Sequence, residues 1–297
     1  MKVRVGFGLG TQGLRRDGDL AGIVDALEDL GFDSLWLSER ITGGAPDPLA
    51  GMAFAAGRTT RLKFGTSVLV VPGRNPAVLA KELATIDVLS GGRLLPAVGL
   101  GTPDPGERQA WAVAREDRAA WFEEALPLLR RFWTEDAVDH EGARFTFRGV
   151  SVRPRPVQDP IDVWLGGQAP SELRRTGRLG DGWLPSFLTP DEAATGRVVV
   201  EKAAADAGRT IDAEHYGALV PYVHGPLPDP LAAALAARRP GIDPAALVPS
   251  GFEGLRRTLE EFVACDVSKF VVVHAGEPDE WDAELARLAE AVLPLQT

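Results

Sequence analysis

The sequence predicts an α/β fold, a (β/α)8 TIM barrel, and three observations carry the prediction. Apolar, β-rich runs begin near Val3, Ser34, Phe64 and Leu94, a spacing of about thirty residues and thus the length of one βα unit. A helix with legible ends joins two of these runs between Arg74 and Arg93. After an interruption the strand–helix alternation resumes, and the units together number eight, the count at which right-handed parallel crossovers close on themselves.

The helix between Arg74 and Arg93 sets the pattern. Asn75 stands where an N-cap accepts a backbone N–H, Pro76 presets the first turn, Leu79, Leu83 and Ile86 share one face, and Ser90-Gly91-Gly92 ends it. Before it, Leu20, Ile23, Val24, Leu27 and Leu30 form a first helical stripe; after it, Ala119 to Phe132 forms another. Between Thr134 and Pro160, alternating Phe145-Thr146-Phe147 and the proline-rich Val152 to Pro156 predict an excursion hairpin and connector between strands 4 and 5. Val163 to Leu165 precedes a helix from about Pro170, and Trp183 to Pro185 precedes one opened by a capping box, Thr189 to Glu192. Ala218 to Val223 makes a seventh strand and Lys269 to His274 an eighth. Ser250 to Glu253 reads as a further capping box, and Trp281, Leu285, Leu288 and Val292 line the closing helix. The long loop after strand 7, Gly225 to Pro249, is a lid, a partner-facing helix or a disordered spacer. An open doubly wound sheet is the competing fold, but Gly6-Phe7-Gly8-Leu9-Gly10 lacks the third glycine of a dinucleotide fingerprint.

Composition bounds the function. A chain of 297 residues with 45% hydrophobic content can bury a full core, and residues 1–297 are expected to form one domain. With 32 basic against 42 acidic residues and a net charge of −10, neither nucleic acid nor an anionic membrane is expected as a partner. The single cysteine, Cys265, cannot form an internal disulfide and reads as a core filler, consistent with the cytoplasm. No apolar run approaches the length of a membrane span or signal segment.

In a barrel the chemistry collects at the C-terminal strand ends. Here these are Gly8 to Thr11, Ser38 to Arg40, Ser67 to Val71, Gly99 to Thr102, Gly166 to Gln168, Ser186-Phe187, Val223-His224 and His274, a polar, glycine-rich rim over an apolar interior. Such a rim suits a planar ring, with backbone N–H groups for its carbonyl oxygens. Gly166-Gly167-Gln168 feeds a helix N-terminus, a phosphate site by geometry, and Arg174, Arg175 and Arg178 add charge nearby; a tight βα turn is the plainer alternative. The substrate side is expected to draw on Gly8, on Trp111 and Phe187 as an apolar wall, and on His224 and His274, the histidines at strand ends; each can equally be structural. The histidines show no paired metal-ligand spacing, so no metal is expected. Asp279, Glu280, Asp282 and Glu284 around Trp281 read as a solvated helix face.

The run from Thr66-Ser67-Val68 through the Asn75 helix to Gly99-Leu100-Gly101 resembles the luciferase-like monooxygenase superfamily of flavin and deazaflavin enzymes. The segment from Gly166 to Pro185, with Ser171 to Trp183 inside it, is similar to the phosphate-clamping half of members that use coenzyme F420, an 8-hydroxy-5-deazaflavin. The resemblance implies a cofactor site built from Glu39, Ser67, Val68, Gly99, Gly101, Gly166, Gly167, Gln168, Arg178 and Trp183, and a cis Ser67–Val68 peptide behind the ring. At the strand-two end the family often carries an acid followed by a catalytic histidine, whereas this chain reads Ser38-Glu39-Arg40. Glu39 and Arg40 are thus the catalytic candidates, although the permanently charged Arg40 cannot shuttle a proton.

The activity implied is hydride transfer between the deazaflavin and a small-molecule substrate, in a homodimer. A deazaflavin does not activate oxygen as a reduced flavin does, which favours a dehydrogenase or reductase. The alternatives are an FMN-dependent monooxygenase on the same barrel and a non-catalytic flavin-binding barrel.

Overall fold

The computed structural model describes residues 1–11, 19–276 and 278–297. In chain order the elements are β1 (Arg4–Gly8), α1 (Asp19–Leu30), β2 (Ser34–Leu37), α2 (Pro48–Ala56), β3 (Lys63–Thr66), β4 (Leu69–Val70), α3 (Pro76–Ser90), β5 (Leu94–Leu95), β6 (Ala97–Gly99), α4 (Pro105–Trp111) and α5 (Arg118–Thr134). Then follow β7 (Val138–Glu141), β8 (Thr146–Val150), β9 (Trp164–Leu165), α6 (Pro170–Leu179), β10 (Gly182–Trp183), α7 (Pro190–Asp206), β11 (Gly217–Tyr222), α8 (Asp229–Arg238), α9 (Pro244–Leu247), α10 (Gly251–Ala264), β12 (Lys269–His274) and α11 (Trp281–Val292). It is an α/β fold with parallel sheets. One sheet runs β11-β12-β1-β2-β3-β5 and a second runs β10-β9-β6-β4, with isolated parallel bridges Trp183–Tyr216 and Ser186–Leu219. β7 and β8 pair antiparallel apart from both.

Helix α3 begins as its sequence dictates: the Asn75 side chain accepts from the Ala77 and Val78 amides at 2.9 and 3.4 Å, and Gly91, at φ +67°, ends it. The parallel strands are buried on both faces, so they lack a polar side. Alternate residues still divide. Leu35 and Leu37 of β2 and Phe270 and Val272 of β12 face the helices, meeting Leu27, Leu285 and Leu288 in the larger core. Trp36, Val271 and Val273 point the other way and join Ala97, Trp164 and Leu184 in an inner cluster, with Val68, Leu95 and Leu219 packed on it. Register pairs Trp36 with Gly8 and Gly65, and Trp164 with Ala97 and Gly182. A Cβ at Gly65 would lie 2.3 Å from Trp36 Cε3, and one at Gly182 would lie 2.4 Å from Trp164 Cδ2. Each indole therefore occupies space that its neighbours leave by having small side chains or none.

Four expectations need correction. The 225–249 segment is no spacer, since it carries α8 and α9. Ser250 makes no capping bond; parallel pairing with Val223 draws it to the strand edge, and its hydroxyl donates to Gly225 O at 2.6 Å. Cys265 ends α10 half-buried rather than in the core. Glu284 is not on a solvated face: it is 1% exposed, because α11 turns it inward against Tyr222. No helix among the described residues is long and apolar enough to cross a membrane.

Two outcomes test this packing. Glu28 of α1 accepts from Thr60 N, Thr60 Oγ1, Arg61 N and Leu62 N at 2.9, 2.9, 3.0 and 2.7 Å, tying α1 to the entry of β3. Burial raises its pKa, but these donors outweigh burial and hold it at about 2 against 4.5. The stabilisation, about 1–2 kcal/mol after solvent screening, is present above the unfolded pKa and lost as pH falls through the folded one. Glu28→Gln should therefore lower stability at neutral pH by roughly 1–2 kcal/mol and flatten its decline across that acidic window; denaturant titrations at stepped pH measure both. Gly65→Ala should cost about 1–3 kcal/mol by overpacking against Trp36, read as a lower denaturation midpoint.

Candidate functional site

Immediately above the inner cluster, at the C-terminal ends of the parallel strands, lies a cavity of about 580 Å³. Val68, Leu184 and Leu219 belong to both, so the core is also the cavity floor. The Ser67–Val68 peptide is cis, as the resemblance implied. Ser38 Oγ donates to Ser67 O at 3.0 Å and lies 3.2 Å from Ser67 Oγ. Gly99 and Gly166 flank Val68: a Cβ on either would stand 2.7 or 3.0 Å from a Val68 methyl. The cavity gathers Glu39, Arg40, Ser67, Val68, Gly99, Gly101, Gly166, Gly167 and Gln168 from the sequence-derived set.

Glu39 is both a lining residue and a member of a buried ion pair. It lines the cavity, and its buried carboxylate accepts from Val70 N at 2.7 Å and from Arg74 Nη2 in an ion pair. Burial raises its pKa, and Arg74 and the Val70 N–H only partly offset this. Arg40 lies 3.8 Å from both Asp104 and Glu107, too far for a hydrogen bond, and its buried Nε has no hydrogen-bond partner among the described residues.

Glu107 was not singled out from the sequence. It is 1% exposed and accepts from Thr42 N, Thr42 Oγ1, Ile41 N and Trp111 Nε1 at 2.8, 2.7, 3.3 and 3.3 Å, fixing the segment after Arg40 to α4. Burial works against ionisation here, but the Thr42, Ile41 and Trp111 donors hold its pKa below the ordinary range. The available signal was Asp104-Pro105-Gly106-Glu107, a helix start with an acid in its first turn.

The phosphate loop differs from expectation in its donors. Gly167, at φ +99°, makes the turn, but Glu172 Oε2 accepts from both Gln168 N and Ala169 N at 2.9 Å. The helix caps itself with its own carboxylate, so these amides are not bare. Trp183 is buried beneath the loop, its Nε1 donating to Gly167 O at 2.8 Å, and does not line the cavity. Arg178 also stands outside it, paired with Glu123 at 3.0 Å, and Arg174 is exposed. Arg175, buried and 3.0 Å from Glu123, and Arg238 of α8 reach it alongside Arg40.

The expected substrate set does not assemble there. Gly8 serves the interior as the register partner of Trp36, its Cβ position filled by Val271 and Val273. Trp111 ends α4 with Arg74 over its ring at 5.1 Å, because α4 swings it behind Glu39. Phe187, at φ +55°, packs with the Val223 cluster under Arg238. His224 and His274 face a different cleft.

The Glu39 geometry fixes the sign of one outcome. A raised carboxyl pKa means that the fold favours the protonated form, a contribution present below the ordinary value and lost as pH rises through the folded one. Gln mimics that neutral form and keeps an acceptor for Val70 N, while Arg74 retains Glu82 at 3.8 Å. Glu39→Gln should therefore change neutral-pH stability by less than about 1 kcal/mol, with the wild type losing ground to the variant as pH rises. Thermal melts at several pH values decide it; a loss above roughly 2 kcal/mol would mean that the ion pair outweighs its burial.

The fold agrees with that of known proteins. The F420-dependent glucose-6-phosphate dehydrogenase of Kineococcus radiotolerans is 33% identical over 177 residues, covering 56% of this chain and 52% of that protein. The match thus spans about half of that relative's length. Among solved structures, the coenzyme F420 dependent tetrahydromethanopterin reductase of Methanopyrus kandleri superposes with a TM-score of 0.81 at 18% identity, over 100% of each chain. The monooxygenase RslO1 of Streptomyces bottropensis does so with 0.81 at 22% identity, over 98% of this chain and 99% of that one. At such identities the likeness is one of fold. The profile of the luciferase-like monooxygenases matches residues 4–264, and with that span the chain belongs to the luciferase-like monooxygenase family.

Proposed function

We propose that this protein is a coenzyme F420-dependent oxidoreductase that moves a hydride between the deazaflavin and a small organic substrate. The observation that carries the reading is the Arg40 guanidinium, with a buried Nε lacking a hydrogen-bond partner, beside an apolar-floored cavity of about 580 Å³. That volume suits a planar cofactor ring, and a guanidinium held only by long ion pairs to Asp104 and Glu107 suits an ionisable ring hydroxyl or a phosphate-bearing tail. Arg175 and Arg238 extend the cationic lining. The relatives named above for F420 support the same reading.

In this reading the backbone at Ser67–Val68, Gly99 and Gly166 receives the ring against Val68, and Gly101, Gly167 and Gln168 follow the tail. The cofactor supplies the hydride acceptor or donor carbon. Arg40 orients the anionic edge. Among the described lining residues there is no histidine, so Glu39, whose pKa burial raises, is the carboxyl suited to hold a proton at the substrate oxygen.

The same reading takes the two parallel sheets as halves of one closed eight-stranded barrel in a single domain, with β7–β8 as the excursion between its fourth and fifth strands. The bridges Trp183–Tyr216 and Ser186–Leu219 support closure, as do cores shared along the whole chain. It also takes the chain as a cytoplasmic homodimer, supported by exposed Phe54, Val78, Val88 and Leu89 on α2 and α3.

Titrating the purified chain separately with coenzyme F420 and with FMN, followed by cofactor fluorescence, tests the cofactor. Tighter binding of F420 is expected. Equal or tighter binding of FMN would overturn the reading in favour of an FMN-dependent monooxygenase, and binding of F420 without hydride exchange to any alcohol or carbonyl donor–acceptor pair would leave a non-catalytic barrel.

A further inference from the structure

A second cleft, of about 530 Å³, opens at the ends of β11 and β12 and shares no lining residue with the cavity above. Parallel register sets Tyr222 beside His274, and His224 follows two residues after Tyr222. The first turn of α11 then brings Glu284 beneath both rings. One ligand atom from each of His224, His274 and Glu284 lies within 4.8 Å of the others. We propose that these three side chains form a binding site for one divalent transition-metal ion of the zinc class, with remaining coordination positions open to water or a small anionic ligand.

Two imidazoles and one carboxylate are a donor set that such ions take readily, and three protein ligands leave the sphere open. The spacing is close to that required. Metal–ligand bonds of about 2.0–2.2 Å place neighbouring donors roughly 3–3.5 Å apart, and His224 Nε2 already stands 2.9 Å from Glu284 Oε1. An ion inserted there takes the place of the shared proton.

The surroundings hold these ligands. Tyr222 donates its hydroxyl to Glu284 Oε1 at 2.7 Å, and Arg287 Nη2 donates to Oε2 at 3.2 Å, the orienting bonds that ligand carboxylates usually carry. Both imidazoles stand edge-on to the Tyr222 ring, at 5.7 and 5.1 Å between centroids, and Phe252 backs His224 at 4.7 Å. His274 Nδ1 accepts from Gly276 N at 3.1 Å, and coordination through Nδ1 exchanges that contact for the ion. Asp279 and Glu280 line the same cleft, and Arg287 is the cation among its described lining residues, which favours entry of a dication. Positions 224, 274 and 284 carry no ligand spacing along the chain; only the β11–β12 register and the α11 crossing bring them together.

The test uses the full, tag-free chain, stripped with a chelator and titrated with Co²⁺ by visible absorption and with Zn²⁺ by calorimetry, without deazaflavin, so its outcome is independent of the cofactor reading. One ion per chain is expected, with affinity weakened at least about tenfold in His224→Gln and in His274→Gln and unchanged in His140→Gln. Circular dichroism checks each fold; if the His224 variant does not fold, the His274 variant decides. Failure of the parent to take up one equivalent at sub-millimolar ion, or undiminished uptake in the folded histidine variants, would overturn the site.

Discussion

The structure depends first on two indole rings that share the interior with glycine. Trp36 and Trp164 each fill space that a smaller pair of residues would leave empty, and each does so because the residues in register beside it, Gly8 and Gly65 or Ala97 and Gly182, leave room. Burying such rings contributes a few kcal/mol each. The same layer ends at Val68, Leu184 and Leu219, and these are the floor of the main cavity. Packing and site are therefore one construction: moving an indole would move the surface on which a ligand rests.

Above that floor, charge is arranged in two nested layers. Glu39 with Arg74 and Glu107 with the Thr42 segment are buried and well partnered, and they hold the strand-two end in place. Arg40 stands 3.8 Å from Asp104 and from Glu107, paired by charge without a hydrogen bond to its Nε, and the rigid shell presents this cation to the cavity. Long ion pairs leave part of a guanidinium's hydrogen-bonding capacity open, which is why this side chain, rather than a better-bonded one, carries the functional reading. The carboxylates are the supports that keep it there.

The self-capped α6 shows how local and tertiary preferences meet. Glu172 satisfies the Gln168 and Ala169 amides from within its own helix, so anion recognition at this end falls to side chains, Arg175 from α6 and Arg238 from α8. Arg239 next to it bonds Gln168 Oε1 at 2.7 Å and also pairs with Glu192, which ties α8 down across α6 and α7. The segment after β11 thereby becomes part of the cavity wall.

By itself the sequence determined the order of the main strand–helix units, though not α2, α4, α8 or α9, because caps, prolines and apolar periods are local signals. Asn75, Pro76 and Gly91 mark α3 as they would in any context, and strands of buried residues recur at the length of a βα unit. The rim positions contributed by strand ends, Glu39, Ser67, Gly99 and Gly166, followed from the same logic. Only the tertiary structure decided which way each side chain turned. Gly8 packs beside an indole, Trp111 and Phe187 turn from the cavity, Glu284 is buried where Asp279, Glu280 and Asp282 are exposed, and His224 comes from sixty residues away to meet Glu284 beside His274. Those outcomes depend on strand register and helix crossing, set by contacts between residues far apart in sequence, and no local pattern encodes them.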